Sequence, residues 1–198
     1  MNTKLRLLPA AAVLGACFAA ATPAFGAQAD WQEYVYEEFG LAKEFPLPPR
    51  RSQSVYAAPE TSRDTPRIAG SDRISTLFET ELDDIIYRME IVDISDAVDR
   101  SANIFSECLY LSEQAGEEVS NVHMGVGGED SEVYGRLAAV ELYEEQGHLL
   151  TACFYNGGYL VRVDAHILPE NGNSGSPQAY RYVSTIRFDL SDSYEQGE

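Results

Sequence analysis

The chain has 198 residues, of which 44% are hydrophobic and 23% charged, and this composition excludes collagen-like, coiled-coil and wholly disordered classes. Fourteen Lys and Arg residues against 32 Asp and Glu residues give a formal net charge of −18. Because such a charge is repelled by phosphate backbones and by anionic lipids, we expect neither nucleic-acid binding nor attachment to anionic membranes. The length predicts one domain.

The first 26 residues have the three-part pattern of a secretory signal peptide. Lys4 and Arg6 precede an apolar stretch, and small residues lead to Gly26. We predict cleavage after Gly26 or, equally well, after Ala29, and therefore a periplasmic or extracellular protein. The apolar stretch is shorter than the ~20 residues of a membrane-spanning helix, so we expect no transmembrane segment. Loss of these 26 residues removes two positive charges and leaves a net charge of −20.

A second interpretation of the leader is a lipid anchor. The tetrapeptide Leu14-Gly15-Ala16-Cys17 is similar to a bacterial lipobox with Cys17 as the lipidated residue. The residues after Cys17 stay apolar, whereas a lipoprotein usually becomes polar there. Lipidation at Cys17 is therefore the alternative, and soluble export is the main expectation.

Residues 27–190 are predicted to form a single domain, followed by a frayed polar tail over residues 191–198. A hairpin is predicted from Trp31 to Phe45, and the prolines that follow end it. The stretch from Arg50 to Asp72 is predicted to be mostly loop, with a short strand near Val55-Tyr56.

The strongest β-strand pattern comes next. Residues 73–81 and 85–92 alternate between apolar and polar side chains, and Leu82-Asp83-Asp84 is predicted to join them as a tight hairpin. The core should receive one face of the second strand, formed by Ile85, Tyr87, Met89 and Ile91.

A helix is then predicted from Ala97 to Ala115, capped by Asp96 and ended by Gly116, with Cys108 on its buried stripe. A polar loop over residues 125–130 leads to a three-stranded meander with turns at Gln146-Gly147 and Asn156-Gly157. Its strands are predicted at Tyr134–Tyr143, His148–Tyr155 and Tyr159–Leu168. After a polar loop over residues 169–175, the remaining elements are a short helix from the N-cap Ser176 to about Val183 and a closing strand, Thr185–Phe188.

These elements predict an α+β fold, a mostly antiparallel sheet with two helices packed on it. Three features resemble small exported proteins of alphaproteobacteria that share the PsbP-like αβα sandwich, a family that includes an extrinsic subunit of the photosynthetic oxygen-evolving complex. They are the opening Tyr36, Phe39-Gly40 and Phe45-Pro46, the strand from Tyr159 to Leu168 with Pro169, and the ending Ser184–Phe188. The resemblance implies this fold and a binding or assembly role, and it brings no active site.

Two cysteines remain after the leader, Cys108 and Cys153. In an oxidising compartment such a pair predicts a disulfide bond. The alternative is two separate buried thiols. Whether Cys153 faces the predicted helix depends on the register set by the turn at Asn156-Gly157.

The loop Gly172-Asn173-Ser174-Gly175-Ser176-Pro177 is similar to the nucleophile motif of glutamyl endopeptidases of the chymotrypsin fold. In such enzymes His and Asp residues precede the serine by long intervals. Here the three histidines, His123, His148 and His166, precede Ser174 by 51, 26 and 8 residues. A polar loop ending in an N-cap is the simpler interpretation, so we predict no catalytic residue.

No pattern of metal ligands is present in the sequence either. His148 and His166 lie on neighbouring predicted strands, but neither an HExxH motif nor zinc-type Cys/His spacing occurs. Calcium is the stronger metal candidate because acids cluster at 79–84, 129–132 and 141–145, although none has EF-hand spacing. A solvated acidic face is the simpler interpretation, and we predict no metal and no cofactor.

The function predicted from the sequence is a periplasmic, non-enzymatic binding or assembly module whose protein partner offers a basic patch. The candidate contacts are the turn residues Tyr155, Asn156, Gly158 and Tyr159, with the loop at 171–175 as a second candidate. The alternatives are a secreted serine hydrolase that uses Ser174 and an acidic, calcium-binding surface lipoprotein.

Overall fold

A computed structural model describes residues 30–56, 73–95, 115–125, 133–156 and 158–188. Within these ranges it contains ten strands, one complete α-helix, the helical residue Ala115 and three single-turn 3-10 helices. The strands are β1 (Gln32–Tyr36), β2 (Leu41–Phe45), β3 (Arg50–Tyr56), β4 (Arg73–Leu82), β5 (Ile85–Asp93), β6 (Gly116–Gly125), β7 (Tyr134–Leu142), β8 (His148–Asn156), β9 (Tyr159–Ile167) and β10 (Ile186–Arg187). The helix is α1 (Pro177–Ser184), and the 3-10 turns are Glu37–Phe39, Tyr143–Glu145 and Pro169–Asn171.

Seven strands form the main sheet in the order β3-β4-β5-β9-β8-β7-β6, and every neighbouring pair is antiparallel. The hairpin of β4 and β5 and the meander of β7, β8 and β9 confirm the sequence predictions. The predicted inward face of β5 is also confirmed, since Ile85, Tyr87, Met89 and Ile91 are all buried. The α+β class is thus borne out.

One face of the main sheet is covered by α1 and by a small sheet of order β1-β2-β10. The core between these layers is rich in aromatic rings that meet edge to face, one of the arrangements that aromatic pairs prefer. Tyr182 of α1 lies 5.1 Å from the ring of Tyr87 on β5 and 5.2 Å from the ring of Phe45 on β2. The predicted closing strand is present as β10. It pairs with β2 and so belongs to the small sheet, not to the main sheet.

The helix α1 begins as its sequence predicts. The side chain of Ser176 accepts a hydrogen bond from the backbone N–H of Ala179, and Pro177 occupies the first turn. At the other end, the buried side-chain nitrogen of Lys43 donates to the carbonyl of Tyr182, to the carbonyl of Thr185 (3.3 Å) and to the hydroxyl of Thr185 (3.1 Å). A hydrogen-bond donor at this end satisfies carbonyls that the helix leaves without partners.

Lys43 is the only lysine beyond residue 26, and its side chain is fully buried. Burial lowers the pKa of its ammonium well below the ordinary value, and the neighbouring carboxylate of Glu44 opposes this effect only in part. The aromatic ring of Tyr182 lies 4.0 Å from the Lys43 nitrogen.

The opposite face of the main sheet carries a second buried cluster, which includes Cys153, Leu160 and Val92. Next to it, Asp164 accepts hydrogen bonds from Thr151 (2.6 Å) and from Arg162 (2.9 Å). The main sheet is therefore buried on parts of both faces.

Two turns differ from their predictions by one residue. The turn between β4 and β5 contains only Asp83 and Asp84, both with positive φ, because Leu82 still pairs with Ile85. The turn between β8 and β9 consists of positions 157 and 158, because Asn156 still pairs with Tyr159.

Two strands were predicted poorly. β3 runs from Arg50 to Tyr56, much longer than the short strand expected near Val55-Tyr56, because all seven residues pair with β4. β6 (Gly116–Gly125) was not predicted, although it begins directly after Ala115, which is helical and ends the predicted helix where expected. A Cβ atom at Gly116 would overlap the carbonyl oxygen of Glu141 on β7. The glycine therefore allows β6 and β7 to lie close together at this point.

Several predictions concern residues outside the described ranges. They are the leader, Cys17, nearly all of the helix over residues 97–115 including Cys108, the loop at 125–130 apart from its first residue, and the tail at 191–198. The predicted helix over residues 97–115 and the PsbP-like arrangement therefore stay predictions.

Candidate functional site: a pocket at the acidic end of the main sheet

The candidate site lies at one end of the main sheet, where a row of directly paired residues crosses six of its strands. The row runs through Leu82, Ile85, Ile167, His148, Glu141 and Glu117. Beyond this row lie the β4–β5 turn, the β7–β8 turn and the loop between β9 and α1. Residues far apart in sequence are thereby brought to one edge of the fold.

A pocket of about 320 Å³ opens between the β7–β8 turn and the β9–α1 loop. This volume is at the small end of the range for ligand pockets. Its lining combines apolar, polar and acidic residues: Glu141, Leu142, Glu145, Gly147, His148, Ile167, Leu168, Pro169, Gly172, Asn173 and Ser174.

Backbone hydrogen bonds fix the walls of the pocket. The N–H of Leu142 donates to the carbonyl of Gly147 (3.0 Å) and closes the β7–β8 turn. Gly147 has φ +99°, and a Cβ atom there would overlap the carbonyl oxygen of Ile167. On the other wall, the N–H of Leu168 donates to the carbonyl of Asp84 (2.9 Å). The β7–β8 turn is therefore packed against β9, and the β9–α1 loop is tied to the β4–β5 turn.

Carboxylates dominate this end of the sheet, which we call the acidic end. Its members are Glu81, Asp83, Asp84, Glu117, Glu141, Glu144, Glu145 and Glu170. In the described part of the chain, none of them forms an ion pair. The ion-paired carboxylates lie elsewhere, as in Glu44 with Arg181 (2.8 Å) and Glu33 with Arg187 (2.8 Å). Glu117 and Glu141 even lie directly opposite each other on neighbouring strands, a like-charge pair that destabilises a sheet.

The pocket brings Ser174 together with His148, and Glu141 is the direct cross-strand partner of His148. Among the described residues, however, no hydrogen bond joins these three side chains. In the serine-protease arrangement, the oxyanion hole uses the N–H groups of the nucleophile and of the glycine two positions earlier. Here the N–H of that glycine, Gly172, donates to the carbonyl of Pro169 (3.1 Å). The nucleophile motif is therefore present without a formed oxyanion hole.

His166 does not line the pocket. His166 lies on the opposite face of β9 from Ile167, and its Nε2 is 2.8 Å from the carbonyl of Gln146. His123 lies in β6. Across the described ranges, no group of three or more His, Cys, Asp or Glu residues has the geometry to hold a metal ion.

The first-choice contact residues from the sequence lie at the other end of the main sheet. Tyr159 packs edge to face on Phe39, with ring centroids 5.5 Å apart. The carbonyl of Gly158 accepts a hydrogen bond from the N–H of Ile94 (2.7 Å). Tyr155 and Asn156 are half-buried. Part of this turn is therefore already in contact with Phe39 and Ile94 of the same chain. Its role as a contact surface for a partner stays a prediction.

Cys153 is fully buried and forms a disulfide bond. The other two cysteines of the sequence, Cys17 and Cys108, lie outside the described residues. The pairing of Cys153 with Cys108 therefore stays a prediction.

Sequence reasoning noted the acids at 141–145 and the loop at 171–175 but did not place them together. The signal that would have joined them is topological, because the end of β7, the start of β8 and the end of β9 must meet at one edge of an antiparallel meander.

No helix in the described part of the chain is long and apolar enough to cross a membrane. Comparison of the chain with protein-family models, with curated proteins and with solved structures finds no match.

Proposed function

We propose that this protein is an exported, non-enzymatic binding or assembly module that docks a basic surface of a partner protein through its acidic end. The observation that supports the proposal best is the acidic end itself, where Glu141 and Glu145 line a pocket and none of the carboxylates forms an ion pair among the described residues. A basic partner would supply the missing countercharges.

The loop at 171–175, the second candidate from the sequence, contributes Gly172, Asn173 and Ser174 to the pocket. Its conformation is held by Asn173, whose side-chain oxygen accepts from the N–H of Gly175 (3.2 Å) and whose carbonyl accepts from the N–H of Ser176 (3.2 Å). A preformed loop loses less entropy on binding than a flexible one. The turn at Tyr159 is instead already in contact with Phe39 and Ile94, so the acidic end is favoured as the docking surface.

Charge neutralisation tests the proposal. The variant Glu144→Gln/Glu145→Gln/Glu170→Gln removes three negative charges from the acidic end, and the control Asp30→Asn/Glu37→Gln/Glu38→Gln removes three near the small sheet. We expect the first variant to weaken binding of a synthetic Arg-Gly repeat peptide much more than the control does, and we expect added salt to weaken binding by the wild type. Equal effects of the two variants would contradict docking at the acidic end.

A serine hydrolase is the second candidate function, because Ser174 and His148 line one pocket and Glu141 neighbours His148. Catalytic hydrogen bonds are often long before substrate binds, so the missing hydrogen bond between Ser174 and His148 does not by itself exclude a hydrolase. It ranks second because the N–H of Gly172 is already engaged. Hydrolysis of p-nitrophenyl acetate, or labelling by a fluorophosphonate, that is lost on Ser174→Ala would establish it in place of the non-enzymatic proposal.

The proposal also includes export and the PsbP-like arrangement with a second helix. The leader pattern supports export, and the buried cluster around Cys153 on the face opposite α1 is a surface on which a second helix would pack. Intact-mass measurement of protein purified from the periplasm is the test of export. A chain beginning at Ala27 or Asp30 supports soluble export, and an acylated chain beginning at Cys17 supports the lipid-anchored alternative.

A further inference from the structure

We propose that the pocket at the acidic end is a receptor for one basic side chain, an arginine or lysine presented by the partner. This inference rests on the proposed function and makes it specific, because it names the group that enters the pocket. It depends on the shape and mixed lining of the cavity as well as on its charge.

The apolar part of the lining fits the stem of a basic side chain. Leu142, Ile167, Leu168 and Pro169 line the pocket, and most of its hydrocarbon surface comes from Leu168 and Pro169, because Leu142 and Ile167 are buried. Lys and Arg side chains bury their methylene stems along such surface while the charged head stays near polar groups. A bare metal ion would gain nothing from these four residues.

The polar part of the lining fits the cationic head. Glu141 and Glu145 line the pocket, and neither is ion-paired within the described ranges. Asn173 and Ser174 lie in the opposing loop and add side-chain oxygen atoms that accept hydrogen bonds. A guanidinium offers five N–H donors and an ammonium three, so either finds acceptors on both walls.

Other ligand classes fit less well. An anion would meet Glu141 and Glu145 without an arginine or lysine in the lining to balance its charge. A metal ion requires a ligand cluster that the described residues do not provide. A neutral apolar group would leave both carboxylates without countercharge. Among these classes, the basic side chain is the one that uses both the apolar and the acidic residues of the lining.

The β7–β8 turn provides a matched pair of variants for the test. Glu144 and Glu145 are neighbours in one 3-10 turn, both are exposed, and only Glu145 lines the pocket. The variants Glu145→Gln and Glu144→Gln therefore change the net charge equally and differ in whether a pocket group is lost.

The probe is Nα-acetyl-arginine amide, titrated into the folded chain and followed by amide chemical shifts, with the citrulline analogue as its neutral isostere. We expect shifts at Gly147, Ile167 and Ser174 with arginine and none with citrulline. Glu145→Gln and Glu141→Gln should each weaken binding about tenfold, the effect of one lost charge-assisted hydrogen bond, and Glu144→Gln should weaken it little.

Equal weakening by Glu144→Gln and Glu145→Gln, or shifts that miss the pocket, would overturn the receptor inference. Such a result is separable from the proposed function, because the Arg-Gly repeat peptide would still bind the wild type and lose affinity in the triple acidic-end variant. Absence of binding by both the peptide and the amino-acid probe would overturn both.

Discussion

Replacement of the buried lysine should change how the stability of this protein depends on pH. Burial lowers the pKa of Lys43 well below its ordinary value, so the folded chain disfavours the charged amine while the unfolded chain still binds the proton. Between the two pKa values the unfolded state binds more protons. The free energy of unfolding must therefore rise with pH in that window, and Lys43→Met should abolish the rise.

The size of the effect follows from proton linkage. One proton contributes at most about 1.4 kcal/mol per pH unit, so over the two units from pH 7.5 to 9.5 the wild type should gain at most about 3 kcal/mol relative to Lys43→Met. At a single pH the comparison is less informative. Loss of the hydrogen bonds to Tyr182 and Thr185 costs about 1 kcal/mol each, while removal of a buried polar nitrogen returns its desolvation cost of about 1–3 kcal/mol.

Urea unfolding at pH 7.5, 8.5 and 9.5 measures the slope. The single tryptophan, Trp31, is a suitable fluorescence reporter because it packs on Tyr87 at 5.8 Å. Burial also raises the pKa of Tyr87 and Tyr182, and their ionisation in the unfolded state would lower stability near and above pH 10 in both proteins, which is why the series stops below it. Arg51→Met removes an exposed cation and should keep the wild-type slope. Parallel slopes for wild type and Lys43→Met would refute the reasoning.

Three further predictions concern the strands and the site. Gly116→Ala should destabilise the protein by about 1–3 kcal/mol in urea melts, because the new methyl group would overlap the Glu141 carbonyl; unchanged stability would show that β6 shifts freely. The predicted Cys108–Cys153 bond should leave no reactive thiol in the denatured, non-reduced mature chain, and two titratable thiols would rule it out. Ser174→Ala should weaken binding of the Arg-Gly repeat peptide less than Glu145→Gln does, because Ser174 offers the cation a neutral acceptor and Glu145 a charged one; a larger loss with Ser174→Ala would contradict this ranking.

The sequence predicted the parts of this fold whose information is local. Ser176-Pro177 specified the start of α1, and the alternation from Ile85 to Ile91 specified which face of β5 is buried. β6 escaped prediction because Gly116 marks the end of the helix at Ala115, as its residue type indicates, while its second role, close approach to Glu141, depends on a strand 25 residues away.

The candidate site depends on the same kind of long-range information. Asn156-Gly157 indicated a turn, but pairing of Asn156 with Tyr159 placed it one residue later. The acids near Glu141 and the loop around Ser174 were each visible in the sequence, and only the register of the meander brings them to one pocket. The buried position of Lys43 could not be inferred, since a lysine in a hairpin is usually exposed.

The most direct test of docking at the acidic end is to map where a basic ligand binds. Amide chemical shifts of the mature chain, recorded during titration with the Arg-Gly repeat peptide at low salt, report both ends of the main sheet at once. We predict that shifts concentrate at Asp84, Glu145, His148 and Ser174 and fade as salt is added. Shifts confined to the turn at Tyr159, or no shifts at any salt concentration, would contradict docking at the acidic end.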